Sequence, residues 1–373
     1  MVYLKDVFSV DKLREHVKNG VVRRQVHPQY PDLFIYNYTE VAQFDRIWDE
    51  VTNVCRGLIV HECDEPVVVA RPFRKFHNLN TSYVPETMEE NLPKDTPPIC
   101  TQKLDGSMGV LYTWDDKLWV ATRGSFASEQ AIWATNWVRQ NLNYKLYPAD
   151  STPVFEIIYH ENRIVVDYDF EGLVLLGIIH NATGKEYDFY EVRGWALQWA
   201  AQVVETFDKT LAECVAEDNP NEEGYVLTYS NGVKVKVKFV EYLRLHRILT
   251  GLQPRAIWEM LVAKQNEAID TLLNDPKTPA SFKVWFGGWV NQLRTQFADL
   301  ENTTLVAFAG RPDDSLKDVD PKGWRKAQAL HFQKTPGLTS ALFAMLDGKD
   351  YAEPLWKKLY PAATGTFQKD GES

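Results

Sequence analysis

The hydrophobic pattern of the chain changes near residue 250, and this change limits the possible fold more than any other feature. Before it, short runs rich in β-branched and aromatic residues alternate with turn residues, which is typical of strands. After it, apolar residues recur every three or four positions between Pro and Gly breaks, which is typical of helices. We therefore expect an α+β domain of antiparallel sheets and helices over residues 1–250. An all-helical domain should follow over residues 251–373.

Both strands and helices are expected within residues 1–250. The strand-like runs lie at 32–38, 56–62, 67–73, 109–124, 153–159, 173–179 and 224–239, the fourth and the last being pairs of strands. The step Ser230-Asn231-Gly232 in the last pair predicts a hairpin turn. Two stretches, 128–142 and 190–207, have apolar residues at three- and four-residue spacing and predict helices.

The composition is that of a folded protein with more than one core. A length of 373 residues suits two domains, and 45 % hydrophobic with 25 % charged residues is typical of globular chains. The four cysteines have no CxxC spacing and no run of eighteen apolar residues occurs, so we expect no zinc ribbon, disulfide framework or membrane span. The N-terminal segment is charged and lacks a signal-peptide core, which indicates a reduced, cytoplasmic protein.

The acidic charge is concentrated in the first part of the chain. The net charge is −10, residues 251–373 are neutral, and residues 1–250 therefore carry the whole excess. This balance argues against a general nucleic-acid coat protein. If the first domain handles phosphates, it needs local basic clusters or a divalent metal.

A series of charged residues begins or interrupts the strand-like runs. Alone, Lys103-Leu104-Asp105-Gly106 predicts only a strand that ends in an Asp-Gly turn. The other members of the series are Arg56, Lys75, Glu156, Glu223-Gly224, Lys236 and Lys238. Because a rigid sheet can direct such side chains into one cleft, the series indicates a shared site.

In chain order the series reads K-x-D-G, F-E, E-G-x-V and K-x-K, and it resembles the covalent nucleotidyltransferase superfamily. The longer strings CRGLIV, ARPFRKFHNLN, RGSFASEQA, EGYVLTY and KVKFVEYLRLH are similar to the RNA ligase 1 family, of the phage T-even type. The resemblance implies a nucleotidyltransferase (ATP-grasp-like ligase) domain. It also implies ATP-dependent joining of an RNA 3′-hydroxyl to a 5′-phosphate, through lysyl-AMP and an adenylylated RNA end.

The resemblance implies a role for each charged residue. Lys103 would attack the α-phosphate of ATP. Lys236 and Lys238 would act with it in catalysis, by lowering its pKa and by stabilising charge on the phosphate. Arg56 and Lys75 would orient the triphosphate. The further residues expected to bind ATP are Glu156, Glu223, Arg123 and Tyr36.

A divalent metal is the second implied cofactor. Carboxylates cannot face a triphosphate without repulsion, and hydrated Mg²⁺ (or Mn²⁺) between them would remove it. In the resembled family the equivalents of Asp105, Glu156 and Glu223 lie around such a metal. An ion pair with Arg163 is the alternative for Glu156. Gly106 and Gly224 would permit tight turns and close approach of the nucleotide.

Three assignments have competing explanations. Arg123 lies where relatives commonly have a lysine-rich K-x-K-G-S string, whose first lysine is replaced here by Ala121. Tyr36-Asn37-Tyr38 matches a family string near the nucleotide, but packing of an aromatic strand explains it equally well. Glu171 also begins an E-G-x-V string, but no K-x-K follows it, so Glu223 is preferred.

The implied partner is RNA, either single-stranded or a cleaved tRNA, and the implied process is RNA repair. A separate polynucleotide kinase/phosphatase could prepare the ends, in a host cytoplasm if the protein is encoded by a phage. A helix with Lys322, Arg325, Lys326 and Lys334 could contact RNA, although a solvated helix face is the preferred explanation. The alternatives are a DNA ligase or an mRNA-capping guanylyltransferase, in which a small β-barrel follows K-x-K, or an inactive nucleotide- or RNA-binding relative.

Overall fold

The computed structural model describes residues 1–142, 148–219, 221–276, 278 and 280–361. The chain divides into two compact units, the first formed by Met1–Arg247 and the second beginning at Ile248. The strands are β1 (Val2–Tyr3), β2 (Val22–Val26), β3 (Leu33–Tyr38), β4 (Arg56–His61), β5 (Val67–Ala70), β6 (His77–Asn78), β7 (Ile99–Lys103), β8 (Ser107–Trp114), β9 (Lys117–Ala121), β10 (Ser151–Ile158), β11 (Gly172–His180), β12 (Gln202–Val203), β13 (Thr206–Phe207), β14 (Gly224–Thr228) and β15 (Lys234–Lys238).

The helices that begin in the first unit are α1 (Val10–Lys18), α2 (Glu40–Phe44), α3 (Glu129–Asn141), α4 (Phe189–Trp199), α5 (Leu211–Ala216) and α6 (Val240–Gly251). The second unit contains α7 (Pro254–Val262), α8 (Asn266–Asn274), α9 (Ala280–Ala309), α10 (Pro321–Phe332), α11 (Thr339–Leu346) and α12 (Ala352–Lys358). The predicted class, α+β with antiparallel sheets followed by helices, is confirmed. No described helix is both long and apolar enough to cross a membrane.

The strands of the first unit form three five-stranded sheets. Their orders are β1-β5-β4-β3-β2, β12-β11-β10-β8-β9 and β13-β7-β14-β15-β6. Neighbouring strands are antiparallel except for β12 beside β11 and β6 beside β15, which run parallel. The predicted hairpin is confirmed: the Tyr229 amide donates to the Val233 carbonyl, and Gly232 takes a positive φ of 82°.

Apolar faces of the sheets form the cores that hold the site. The first and second sheets pack through a cluster that includes Leu33 and Ile35 from β3 and Val110 and Tyr112 from β8. The other face of the second sheet packs against α3 and α4, where Trp199 is almost fully buried. Because these strands are buried on both sides, their ends are fixed and can position side chains.

One helix prediction is wrong in its extent. The helix expected over 190–207 ends at Trp199, where Ala200 takes a left-handed conformation with φ 54°. Gln202–Val203 then pairs parallel with β11, and Thr206–Phe207 pairs with β7. The β-branched residues after Ala200 suit a strand, and the unpaired edges of two sheets provide partners that the local sequence does not reveal.

Candidate active site

Lys103 is the last residue of β7, and it lies in a row of residues that crosses the third sheet. In the strand register, Lys103 is opposite Gly224 of β14, and Gly224 is opposite Lys238 of β15. This register places Glu223, just before β14, between the two lysines. Lys103 Nζ lies 2.6 Å from Glu223 Oε2, and Lys238 Nζ lies 2.8 Å from Glu223 Oε1.

The carboxylates control the protonation of Lys103. Burial acts to lower its pKa, but the nearby charges of Glu223 and Glu156 outweigh this effect and raise it. In the protein without nucleotide or metal, the direct contact with Glu223 therefore outweighs the lowering of the Lys103 pKa that is expected from neighbouring positive charge. Lys236 is the amine whose pKa falls well below its usual value, through burial and then the charge of Arg56.

Several cations gather around the phenol of Tyr38, which is 4 % exposed. Lys75 Nζ donates to the Tyr38 hydroxyl at 3.2 Å, and Arg123 Nη1 donates to it at 3.4 Å. Burial acts to raise the pKa of Tyr38, but Arg56, Lys75 and Arg123 together lower it. Within the described residues, none of Arg56, Lys75, Arg123 and Lys236 has a carboxylate oxygen within 4.0 Å. This group therefore carries uncompensated positive charge that suits an anionic ligand.

An open pocket of about 1090 Å³ is lined by Lys103 and by three of these cations, Arg56, Arg123 and Lys236. Charged and apolar residues are in contact within its lining, since Lys234 Nζ lies over the ring of Phe73 and Lys236 Nζ over the ring of Phe76. The charged lining residues are Arg56, Lys103, Arg123, Glu156, Lys234 and Lys236, and the apolar ones include Phe73, Phe76, Leu104, Leu176, Val204 and Val226. A ligand with a flat apolar part and a polyanionic part fits such a lining.

The predicted metal ligands do not form a three-carboxylate site. Asp105 accepts hydrogen bonds from the amides of Val165 and Val166 at 2.8 and 2.9 Å and from the Tyr242 hydroxyl at 2.8 Å. Both oxygens of Asp105 are thus engaged, and both oxygens of Glu223 contact lysines. The described residues contain no cluster of three or more His, Cys, Asp or Glu that could hold a metal ion.

Glu156 is the carboxylate that fits a metal carried by phosphates. It lines the pocket, and its Oε1 accepts the Gly106 amide at 3.0 Å. Burial raises its pKa to about 8, against the opposing charge of Lys103. Mg²⁺ commonly binds through one or two carboxylates together with substrate phosphates, so Glu156 is compatible with that mode. The alternative pairing with Arg163 does not occur, because Arg163 Nη1 lies 2.8 Å from Asp167.

The structure corrects the assignment of Tyr36 to the nucleotide site. Tyr36 packs in a cluster with Leu4, Val22 and Leu58, and its hydroxyl donates to Glu62. The bulge between β3 and β4 falls just after Tyr36, and Tyr38 is the tyrosine that meets the cations. The competing explanation, aromatic strand packing, is the one that the contacts support.

The geometry supports the choice of Glu223 over Glu171 as the glutamate of the E-G-x-V motif. Glu171 accepts the amide of His160 at 2.9 Å and lines a separate pocket, whereas Glu223 contacts Lys103. Gly224 has φ 138°, and a Cβ there would lie 2.0 Å from the Val237 carbonyl oxygen. A Cβ on Gly106 would lie 2.5 Å from the Ile157 carbonyl oxygen. Both glycines are therefore required by neighbouring strands of the protein itself.

Sequence reasoning missed Lys234, Phe73 and Phe76, and it selected Tyr36 instead of Tyr38 from the string Tyr36-Asn37-Tyr38. Lys234 lines the pocket, lies 2.6 Å from Glu186, and has its Nζ 4.2 Å from the ring centroid of Phe73. The signal for it was present, because in K-V-K-V-K the strand period of two places Lys234, Lys236 and Lys238 on one face.

Comparison with known proteins identifies the family. Residues 54–242, half of the chain, match the RNA ligase family. An RNA ligase from Rhodothermus phage RM378 is 23 % identical over 390 residues, which cover 86 % of each chain. A candidate RNA ligase from Thermovibrio ammonificans is 31 % identical over 197 residues, covering 50 % of this chain and 51 % of the relative.

Among solved structures, an archaeal ATP-dependent RNA ligase aligns over 91 % of this chain and 96 % of its own, with 13 % identity and a TM-score of 0.48. The family match spans β4 to the start of α6, and it includes Arg56, Lys103, Glu156, Glu223, Lys236 and Lys238. The resemblance noted in the sequence is confirmed by this match, and the chain belongs to the RNA ligase family.

Proposed function

We propose that this RNA ligase is ATP-dependent and uses Lys103 as its nucleophile. The observation that carries the proposal is that Lys103 lines one pocket together with aromatic and aliphatic side chains and with Arg56, Arg123 and Lys236, three cations without carboxylate partners in the described chain. The adenine ring fits the apolar side chains of this lining. The triphosphate fits its cations, to which it would supply the missing negative charge.

In the first step the neutral amine of Lys103 attacks the α-phosphorus of ATP. An N–P bond forms, the bond to the diphosphate oxygen breaks so that diphosphate leaves, and the amine nitrogen releases one proton to solvent. Lys236 and Arg56 border the same pocket and stabilise charge on the phosphate oxygens as it develops. A hydrated Mg²⁺ or Mn²⁺ held by Glu156 and the phosphates would supply positive charge that favours the neutral amine.

In the later steps AMP moves from Lys103 to the RNA 5′-phosphate, and the RNA 3′-hydroxyl then displaces AMP to form the phosphodiester. The ends must therefore carry a 5′-phosphate and a 3′-hydroxyl. We infer single-stranded RNA or cleaved tRNA as substrate and RNA repair as the process, with a separate polynucleotide kinase/phosphatase preparing ends of other chemistry. Free thiols at all four cysteines fit action in the cytoplasm.

The nucleophile is tested by incubation with α-labelled ATP in one reaction and α-labelled GTP in another. We expect label on the protein from ATP, and its loss in Lys103→Ala. The matched control is Lys117→Ala, which changes an exposed lysine paired with Asp115. Label from GTP alone would indicate a guanylyltransferase, and label retained in Lys103→Ala would exclude Lys103.

The DNA ligase and capping alternatives are tested through the substrates. In those enzymes a small β-barrel follows K-x-K, whereas the described residues after Lys238 form helices. Ligation of 5′-phosphorylated single-stranded RNA, a nicked duplex and anticodon-cleaved tRNA should be compared side by side. Sealing of nicked DNA in preference to both RNA substrates would overturn the proposal.

A further inference from the structure

A row of aromatic rings leads away from the cations of the site. Tyr38 contacts Trp48 edge to face, with ring centroids 5.0 Å apart. Trp48 contacts His77 at 5.4 Å, and His77 contacts Tyr83 at 5.9 Å, again edge to face. We call these four residues the aromatic row. Its inner end, Tyr38, is buried, and its outer end, Tyr83, is 41 % exposed.

Cations lie along the whole row. Lys75 Nζ is 5.0 Å from the centroid of Tyr38 and 4.9 Å from that of Trp48. The guanidinium of Arg46 lies 4.5 Å from the centroid of Tyr83, and Arg74 is exposed next to Lys75 in the chain. Within the described residues, no carboxylate oxygen approaches Arg46, Arg74 or Lys75 within 4.0 Å. In a chain of net charge −10, this concentration of unpaired cations needs an explanation.

Arg46 takes a left-handed backbone conformation with φ 56° just after α2, where the Ile47 amide donates to the Ala42 carbonyl in a helix cap. This cap ends the helix and places Arg46 beside Tyr83. Burial, with the charges of Lys75, Lys236 and Arg74, lowers the pKa of His77 to about 4. The imidazole is therefore neutral at physiological pH, and it offers a ring face and a hydrogen-bonding edge.

We propose that the outer part of the aromatic row, with Arg46 and Arg74, is a stacking surface for unpaired RNA bases next to the reacting end. Aromatic rings interleaved with cations are the features by which proteins bind single-stranded nucleic acid. The inner end of the row, Tyr38, contacts Lys75 and Arg123 of the candidate active site, so bases stacked at Tyr83 would lie on a row that leads to that site. This inference rests on the proposed ligase function, since it names how the RNA is held.

A protein partner fits the surface less well than RNA. An apolar protein segment would leave Arg46 and Arg74 unpaired, whereas an RNA backbone supplies one phosphate for each base that stacks. The row also begins at Tyr38, whose hydroxyl accepts from Lys75 and Arg123. The surface for the bases and the proposed site for the phosphates are thus continuous.

The test measures the affinity of the full-length protein for a 5′-phosphorylated single-stranded RNA by fluorescence anisotropy. We expect Tyr83→Ala to weaken binding by about 5- to 50-fold, and Tyr83→Phe to bind like the unmodified protein, because stacking needs only the ring. The matched control is Tyr190→Ala, which removes a tyrosine that is 86 % exposed on α4. Thermal unfolding of each variant shows that folding is retained.

Two further measurements separate stacking from charge. A blunt RNA duplex has no unpaired base, so Tyr83→Ala should change its affinity by less than about twofold. Arg46→Ala should reduce the slope of log K against log salt by about 0.7, the contribution of one single-strand phosphate contact. An equal loss of affinity for duplex and single strand in Tyr83→Ala would contradict base stacking.

Labelling by ATP in the absence of RNA tests the ligase proposal separately. We expect Tyr83→Ala to acquire label as the unmodified protein does. If label forms but Tyr83→Ala binds RNA as tightly as Tyr190→Ala, the stacking surface is wrong and the ligase proposal stands. If the unmodified protein acquires no label but RNA affinity still depends on Tyr83, the ligase proposal fails and the stacking surface stands.

Discussion

At the scale of single residues, Glu223 determines the charge state of the site. It is 3 % exposed and lies between two ammonium groups, Lys103 and Lys238. Burial acts to raise its pKa, but the two lysines outweigh this and lower it, so Glu223 stays ionised. A buried carboxylate of this kind stabilises the protonated form of its partner. The free protein therefore holds Lys103 protonated, and ATP binding must be accompanied by a change in this pairing.

Glu223→Gln should shift the pH dependence of protein labelling by ATP. The reactive form of Lys103 is the neutral amine, and its pKa is raised by Glu223. Removal of the negative charge lowers that pKa, so the profile of rate against pH should move to lower pH. The maximal rate should fall, because Lys103 loses a partner that positions it. Glu353→Gln, which changes an exposed partner of Lys357, should leave the profile in place.

The carboxyl of Glu156 should make the protein less stable as the pH rises from about 6.5 to 8. Its pKa is about 8 in the folded chain against an ordinary value of 4.5. Between these values the unfolded chain has lost a proton that the folded chain retains, so raising the pH favours unfolding. His77 has the opposite sign, but its pKa of about 4 confines its effect to pH below 6.5.

Urea unfolding at pH 6.5 and 8 measures this effect. We expect the unmodified protein to lose about 1 to 2 kcal/mol across that interval and Glu156→Gln to lose much less. Glu90→Gln, at an exposed position, is the control and should behave as the unmodified protein. Equal pH dependence of Glu156→Gln and the control would show that Glu156 titrates normally in the folded chain.

At the scale of elements, the hairpin of β14 and β15 aligns the site. It pairs Gly224 with Lys238, and β14 also pairs with the nucleophile strand β7. The relative positions of Lys103, Glu223 and Lys238 thus depend on the close contact of Gly224 with the backbone of β15. A shift of β14 by even a fraction of an ångström would separate Glu223 from one of its lysines.

Gly224→Ala should therefore destabilise the protein and abolish labelling by ATP. The new Cβ would lie 2.0 Å from the Val237 carbonyl oxygen at φ 138°, so the strands must separate. We expect a loss of at least about 2 kcal/mol in the free energy of unfolding. Gly232→Ala is the matched control in the same hairpin, because its φ is 82° but open space surrounds it. It should cost about 1 kcal/mol and retain labelling.

The elements also show what sequence can and cannot predict. The hairpin was predictable because Asn231-Gly232 specifies its turn locally. The end of α4 was not, since Gln202–Val203 and Thr206–Phe207 become strands only by pairing with edges distant in sequence. Likewise, the order of the charged motifs along the chain was enough to propose Lys103 and Glu223 as site residues. The raised pKa of Lys103 depends on a contact distance that no residue pattern contains.

At the scale of the whole molecule, the first unit contains every lining residue of the candidate nucleotide pocket, from Arg56 to Lys236. It also has its own hydrophobic clusters. One cluster lies between the first and second sheets, and another lies between the second sheet and helices α3 and α4. The second unit is helical in its described part and electrically neutral as a sequence. We therefore propose adenylylation by the first unit and a role in RNA choice for the second.

A chain truncated after Gly251, where α6 ends, tests this division. It should still acquire label from ATP, within about fivefold of the full-length rate, because the pocket and Lys103 are retained. It should lose any preference of the full-length protein for cleaved tRNA over unstructured RNA with the same ends. Tryptophan fluorescence during thermal unfolding serves as the folding control. A truncated chain that unfolds cooperatively but acquires no label would show that the second unit contributes to nucleotide transfer. Adenylylation and RNA choice could then not be assigned to separate units.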